Sequence, residues 1–414
     1  NEGCIPTKTL LHSAKLYDHA LDSAAYGVTA ESVRVDHAAV IARKERVIKT
    51  LVGGVCAAMK ASGVTTVNGR AVITGKDPAG YSVKANGDRY VGKNLIIATG
   101  SESVLPPIEG LRESLNSGFA VTNRELLFSC EAPKRLVVVG GGVIGLEMAS
   151  YYQMTGTAVT VVEMMDHIAG PCDKDLVKLL QKNYERGGMR FELNACVKAI
   201  GNSRVLCQRG GETFDLEADR VLVALGRRPN SQDLGLESIG VLLENGAVRT
   251  DCHMRTNVPG IYAVGDINGK SMLAHTAYRE AEVAVHTILG QKDTMSYRAI
   301  PSVLYTIPEL SSVGLTEEEA KAQGLDVAVV RIPMAYSGRY VAENENGDGI
   351  FKLVIDKKLR TVVGAQVLAN YSSEFIAVVG IFIELAVPID LIKKQVFPHP
   401  TVAEIIREAA CQFA

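Results

Sequence analysis

The sequence predicts an α/β protein: two Rossmann-like nucleotide-binding domains, the first incomplete, followed by a C-terminal α+β domain. Three observations carry this expectation. Residues 135–163 give a strand, a glycine turn, a helix and a second strand in succession. The segments Ile97-Ala98-Thr99-Gly100 and Val223-Ala224-Leu225-Gly226 repeat one pattern, an apolar strand closing on Ala-x-Gly, and only the second follows a glycine loop. From about Tyr297 the pattern changes to strand-strand-helix-strand-strand-strand-helix. The missing loop of the first copy is expected upstream of Asn1, so the chain is expected to lack part of its N-terminus.

At the start of the chain, Cys4 stands two residues before Pro6, and an apolar run follows. Proline suits the first turn of a helix, where its missing N–H has no partner to lose. Cys4 is therefore expected at a helix N-terminus, where the dipole favours a thiolate, with Lys8 one turn along the same face. On these residues alone a buried structural cysteine is the favoured reading over a reactive one. Asp36 is expected to cap a second helix ending near Gly63, with Val40, Ile41, Val47, Ile48, Leu51, Val55 and Met59 at helical spacing. Short strands are expected at 65–67, 70–73, 81–84 and 89–91, and Leu95-Ile96-Ile97-Ala98 reads as a buried strand running into Thr99-Gly100-Ser101.

The 135–163 unit is the clearest. Gly140, Gly142 and Gly145 fit G-x-G-x-x-G between a strand and a helix, with Val143 and Ile144 opening the helix and Glu163 answering 18 positions after Gly145. That context predicts a pyrophosphate on the helix N-terminus and ribose hydroxyls on Glu163. Further on, Ile261-Tyr262-Ala263-Val264 delivers Gly265-Asp266 at the end of a strand, and Met272-Leu273-Ala274-His275 opens a helix running to about Leu289. Asp266 is either a ligand-facing carboxylate or a turn residue. A helix over 373–386 is apolar on nearly every side and must be covered by something, a second subunit being the natural candidate. The chain closes with Pro398-His399-Pro400-Thr401 and Glu404 ahead of a last helix.

Composition excludes several classes. The 414 residues carry a net charge of −2, and the pI is about 6.5, so no basic field draws nucleic acid or an anionic membrane. The eight cysteines show no C-x-x-C pair and no regular spacing, which argues against a zinc site and a secreted disulfide framework, and for a reducing, cytoplasmic setting. No apolar run reaches membrane-spanning length.

Taken together, Asn1-Glu2-Gly3-Cys4-Ile5-Pro6-Thr7-Lys8, the glycine turn, the Gly265-Asp266 strand end and His399-Pro400-Thr401 with Glu404 resemble the flavoprotein disulfide reductases, which pair a redox disulfide with FAD and a pyridine nucleotide. The resemblance is strongest to the dihydrolipoamide dehydrogenases. It implies a FAD-binding domain at 1–108 and 258–292 lacking its first βαβ unit, an NAD-binding domain at 109–257, and a dimerisation domain at 293–414. It implies that Cys4 is the flavin-side cysteine, its partner lying two residues before Asn1, that Lys8 approaches the flavin and pairs with Glu147, and that His399 is the base, held by Glu404. Lys8, Gly69, Thr99, Gly100, Ser101, Gly265, Asp266, Met272, Leu273, Ala274 and His275 would serve FAD. Gly140, Gly142, Val143, Ile144, Gly145, Glu147, Glu163 and Gly226 would serve NAD.

The implied reaction oxidises dihydrolipoamide, free or on a lipoyl domain, with electrons passing by way of disulfide and FAD to NAD. The implied assembly is a homodimer, and the implied wider partner is a 2-oxoacid dehydrogenase complex. Alternatives are a mercuric- or glutathione-reductase-like enzyme, or a non-catalytic NAD-binding remnant. Glu163 would repel a 2′-phosphate, and Met164 and Met165 offer no arginine to bind one, which favours NAD over NADP. Leu10, Leu11 and Ala14 beside Cys4 would suit an acyl-chain channel.

Overall fold

The computed structural model describes every residue but Asn346 and divides into two units. The first comprises Asn1–Gly53, Leu105–Leu225 and Arg298–Ala414. Its centre is a five-stranded parallel sheet in the order Ala120–Val121, Arg220–Val223, Arg135–Val139, Ala158–Val162, Arg190–Glu192. Strand Arg135–Val139 is buried from its second residue onward, as its unbroken Leu-Val-Val-Val run requires of a central parallel strand. Helix Val143–Met154 crosses over to the next strand, and its buried Leu146 and Ala149 share a core with Leu10, Leu11 and Ala14 of helix Cys4–Leu21. The acyl-channel expectation therefore fails: Leu10 and Ala14 are 0% exposed and Leu11 5%. Their apolarity serves packing between two helices.

The same unit holds an antiparallel five-stranded sheet, ordered Ser302–Leu304, Leu310–Gly314, Thr361–Leu368, Ile350–Asp356, Val327–Pro333. Helices Ser372–Glu384 and Ile405–Gln412 cover it, burying Phe375, Ile376, Val379, Ile383, Ile405 and Ile406. Helix Ser372–Glu384 ends two residues earlier than its composition predicts, and Ile381 and the adjoining Leu385 are exposed. Strand Ser302–Leu304 stops short of Tyr305, because the Tyr305 N–H turns to a side chain elsewhere.

The second unit, Gly54–Val104 with Gly226–Tyr297, contains an antiparallel sheet of Ala71–Asp77, Gly80–Ala85 and Asp88–Gly92. Strands Leu95–Ile97 and Ile261–Ala263 form a parallel pair, and Ser101–Ser103 pairs antiparallel with Arg227–Pro229. Residues 65–67 are not a strand, despite their β-branched run: nothing pairs with them, and they lie exposed. Helix Ala274–Ile288 begins two residues later than expected, since Leu273 is extended (φ −127°, ψ 133°) and acts as its N-cap. The unit boundary falls within helix His37–Ala61, which forms where Asp36 caps it through the Ala39 N–H at 3.0 Å. Only Ile41 and Lys44 of that helix are buried; Leu51 and Val55, which share its apolar spacing, are exposed, and no element among the described residues covers them. Among the described residues no helix is long and apolar enough to cross a membrane.

Candidate functional site

Cys4 is the first residue of its helix, and its thiol is exposed, so the buried structural reading falls away. Gly3 precedes it with no side-chain cap, which leaves the helix start open beside the sulfur. One turn on, Lys8 Nζ donates to both carboxylate oxygens of Glu147, at 2.9 and 2.8 Å. Glu147 comes from the glycine-turn helix and is 3% exposed. The Tyr305 N–H donates to Glu147 Oε1 at 3.0 Å, and Lys8 Nζ lies 4.4 Å from the centre of the Tyr305 ring. Three segments distant in sequence thus fix one ammonium, through two charge-assisted hydrogen bonds and an aromatic face. Tyr305 was not legible as a site residue, because its bond to Glu147 is made by a backbone N–H that any residue but proline supplies and its ring meets Lys8 from far along the chain.

The glycine turn is shaped by two contacts that exclude a side chain. A Cβ on Gly140, whose φ is +105°, would sit 2.4 Å from the Ala224 carbonyl oxygen, and one on Gly145 would sit 2.1 Å from the Gly140 oxygen. A Cβ on Gly142 meets nothing within 4 Å, so that side of the turn faces open space. Gly142 is the N-cap and has no side-chain cap bond; the first backbone acceptor of the helix is its carbonyl, taken by the Leu146 N–H. The N–H groups of Val143, Ile144 and Gly145 therefore head a helix start that suits a phosphate. Glu163 is held against the turn, Oε2 accepting from the Gly141 N–H at 2.8 Å and Oε1 from the Met165 N–H at 2.9 Å. Each oxygen keeps a lone pair for a ribose hydroxyl. Met164 and Met165 beside it are exposed and uncharged. This half of the site fits NAD.

In the second unit, Gly100 and Gly226 end their strands with φ of +71° and +98°, the shared turn behind the Ala-x-Gly repeat. Gly226 thus belongs to a different unit from the glycine turn; its carbonyl accepts the Val104 N–H. Thr99 Oγ1 donates to the Asn230 carbonyl at 2.8 Å, and Asn230 Nδ2 donates back to the Thr99 carbonyl at 3.1 Å. Ser101 Oγ donates to Asp266 Oδ2 at 2.5 Å and accepts from Arg227 Nε at 2.7 Å. Arg227, unnoticed in the sequence, thereby orients the hydroxyl that orients Asp266. Gly69 lies against the Asn86 side chain, where a Cβ would come within 2.2 Å of Oδ1. Helix Ala274–Ile288 starts without a side-chain cap, with Met272 and Leu273 leading into it and Ala274 and His275 in its first turn. An open helix start and a carboxylate at a strand end fit the polar chain and ring edge of a flavin.

His399 is 79% exposed at its side chain, and its Nδ1 is 3.0 Å from Glu404 Oε1. The His399–Pro400 peptide bond is cis. Glu404 Oε2 accepts the Thr401 N–H at 2.8 Å, and that bond, with help from His399, holds the Glu404 carboxyl below its ordinary range.

A turn built for a dinucleotide, a carboxylate-clamped lysine beside an exposed cysteine and a supported histidine define a nucleotide-dependent redox protein acting on sulfur. The pyridine nucleotide-disulphide oxidoreductase model matches residues 1–281, and the dimerisation-domain model of the same family matches 300–410. The chain belongs to the pyridine nucleotide-disulphide oxidoreductase family. It is 37% identical to the dihydrolipoyl dehydrogenase of Geobacillus stearothermophilus, over 99% of this chain and 87% of that protein. It is 34% identical to the mitochondrial dihydrolipoyl dehydrogenase of Sus scrofa, over 99% and 82%. Among solved structures, the HOCl-induced flavoprotein disulfide reductase RclA of Escherichia coli superposes with a TM-score of 0.87 at 27% identity, covering 100% of this chain and 91% of that one. FAD and NAD(H) are the cofactors of this family, and its dimerisation domain makes the homodimer the expected assembly.

Proposed function

We propose that the chain works as a dihydrolipoyl dehydrogenase, converting a dihydrolipoyl dithiol and NAD⁺ to the cyclic disulfide, NADH and a proton. Two S–H bonds are lost and one S–S bond forms; the electron pair leaves as hydride. The observation that carries this reading is the Cys4 helix, with its thiol exposed at the first residue and Lys8 clamped one turn on by Glu147. Cys4 is the flavin-side member of the reacting disulfide, its partner cysteine exchanges with substrate sulfur, and Lys8 keeps a fixed positive charge beside Cys4. His399, oriented by Glu404, removes the thiol proton. FAD, when bound, supplies the step between thiol and hydride chemistry; Thr99, Gly100, Ser101 and Asp266 would hold it. The glycine turn and Glu163 hold NAD. A 2-oxoacid dehydrogenase complex is the natural source of the lipoyl group, and a cytoplasmic setting suits eight unbridged cysteines.

Turnover of dihydrolipoamide with NAD⁺, against glutathione disulfide with NADPH, tests the assignment. Preference for the second pair would overturn it. The nucleotide choice has its own test. Glu163→Ala combined with Met164→Arg removes a like charge and adds a phosphate partner, a change of about 2–4 kcal/mol in relative transition-state binding. The NAD/NADP ratio of kcat/KM should therefore fall roughly 30- to 1,000-fold. An unaltered ratio would refute the role of Glu163.

A further inference from the structure

Glu280 takes no part in the contacts above, yet its side chain is 0% exposed. It lies in helix Ala274–Ile288 and faces three donors. Oε2 accepts the Gly265 N–H at 2.6 Å and Asn268 Nδ2 at 2.8 Å, and Oε1 accepts the Tyr297 hydroxyl at 2.6 Å. Burial and the neighbouring carboxylate push the Tyr297 hydroxyl far above its ordinary range, so it remains a donor. Gly265 and Asn268 are the two ends of the short 3-10 turn that carries Asp266. Gly265 sits at φ +74°, which glycine adopts without steric cost and is equally free to leave, so the bond from its N–H to Glu280 is what holds it there. The Asp266 carboxylate is thus aimed from the front by Ser101 and Arg227, while its backbone is gripped from behind by Glu280.

We propose that Glu280 is a positioning residue: it locks the Gly265–Asn268 turn so that Asp266 stays presented to the hydroxyl chain of a flavin. The proposal rests on the reading of Asp266 as a flavin-holding residue, and it goes beyond that reading by assigning the group that sets its aim. Burying a carboxylate on three neutral donors is costly unless all three bonds form, so the turn and the helix are coupled at this point.

Amide hydrogen exchange and FAD affinity, both measured on the full chain, test it. In Glu280→Ala, exchange across residues 264–269 should quicken roughly 10- to 100-fold, as expected for losing a hydrogen bond to a charged group. The hairpin at 71–92 should keep its wild-type exchange. FAD affinity should fall by a similar factor, while NADH affinity is unchanged. Glu280→Gln should restore both readouts to within about threefold, because its carbonyl can take the Gly265 N–H and its NH₂ can donate to the Tyr297 oxygen. Glu280→Asp, too short to reach, should behave like alanine and stands in for it should Glu280→Ala not fold. Unchanged exchange at 264–269 would overturn the proposal. So would faster exchange with FAD affinity retained, if Asp266→Ala loses FAD, because Glu280 would then be only a structural brace. Failure of Asp266→Ala to weaken FAD binding, or failure of the unmutated chain to bind FAD, would instead sink the flavin reading of Asp266. The aiming role falls with it, and the exchange data alone then decide whether Glu280 fixes the turn.

Discussion

Replacing His399 with alanine should leave folding and NADH binding intact while slowing dithiol oxidation roughly 10²- to 10⁴-fold, the range for losing a general base. A thiol with an ordinary pKa near 8.5 is mostly protonated at neutral pH, and imidazole is the side chain whose titration spans that range. Glu404 accepts from Nδ1–H, which leaves Nε2 as the free base, and 79% exposure lets the ring meet a substrate presented from outside its own chain. Glu404→Gln keeps a carbonyl acceptor for Nδ1–H and loses only the charge, so its effect should be smaller, about tenfold or less. The lowered Glu404 carboxyl fixes the sign of the pH dependence. Its support is complete above the ordinary value of 4.5 and is lost only as pH falls through the lowered one, so Glu404 keeps its charge throughout the neutral range. NADH-driven reduction of an artificial acceptor needs no thiol base and should survive in both variants. Near-normal dithiol oxidation by His399→Ala would place the base elsewhere.

The parts of this molecule that were legible are those whose signal is local. The glycine turn announces itself because its glycines stand between a strand and a helix, Gly145 packing against the Gly140 oxygen five residues back, and Glu163 follows at the spacing of one crossover. The C-terminal sheet could be read from composition because strand Ile350–Asp356 is buried on both faces. What escaped depends on partners far along the chain. Tyr305 meets Glu147 across 158 residues and Arg227 meets Ser101 across 126, through groups whose residue types carry no pattern of their own. Apolar residues beside a reactive cysteine suit a channel and a core equally well; only the neighbouring Leu146 and Ala149 decide that Leu10, Leu11 and Ala14 are core. The β-branched run at 65–67 shows the converse: propensity without a pairing partner makes no strand.

Lys352→Ala should destabilise the first unit by about 3–5 kcal/mol, the range for leaving one member of a buried ion pair alone. Lys352 sits in strand Ile350–Asp356 with 3% of its side chain exposed, inside a row of apolar residues. Its ammonium contacts Asp173 Oδ2 and donates to Asp175 Oδ2 at 2.9 Å, with Glu317 Oε2 at 4.0 Å. Asp173 does two jobs: Oδ1 caps helix Lys174–Arg186 through the N–H groups of Asp175 and Leu176, and Oδ2 takes the lysine. Without Lys352 that buried carboxylate keeps its capping bonds and loses its charge partner. Lys352→Met with Asp173→Ser removes both charges and retains a capping hydroxyl, so it should recover most of the loss, ending within about 1–2 kcal/mol of wild type. Denaturant unfolding with the double-mutant cycle measures both. The pH dependence follows from Asp175, held below its ordinary 3.8 by Lys352 first, and from Glu317, held below 4.5 by Lys321 first. Lowered carboxyls stabilise fully above their unfolded values and stop doing so as pH falls through the folded ones. The gap between wild type and Lys352→Ala should therefore be constant from pH 5 to 8 and narrow below about pH 4, where Asp175 gains its proton. A gap under about 1 kcal/mol at pH 7 would mean that the pair behaves as a solvated surface bridge, and a gap that widens on acidification would show that Lys352 does not set the Asp175 carboxyl.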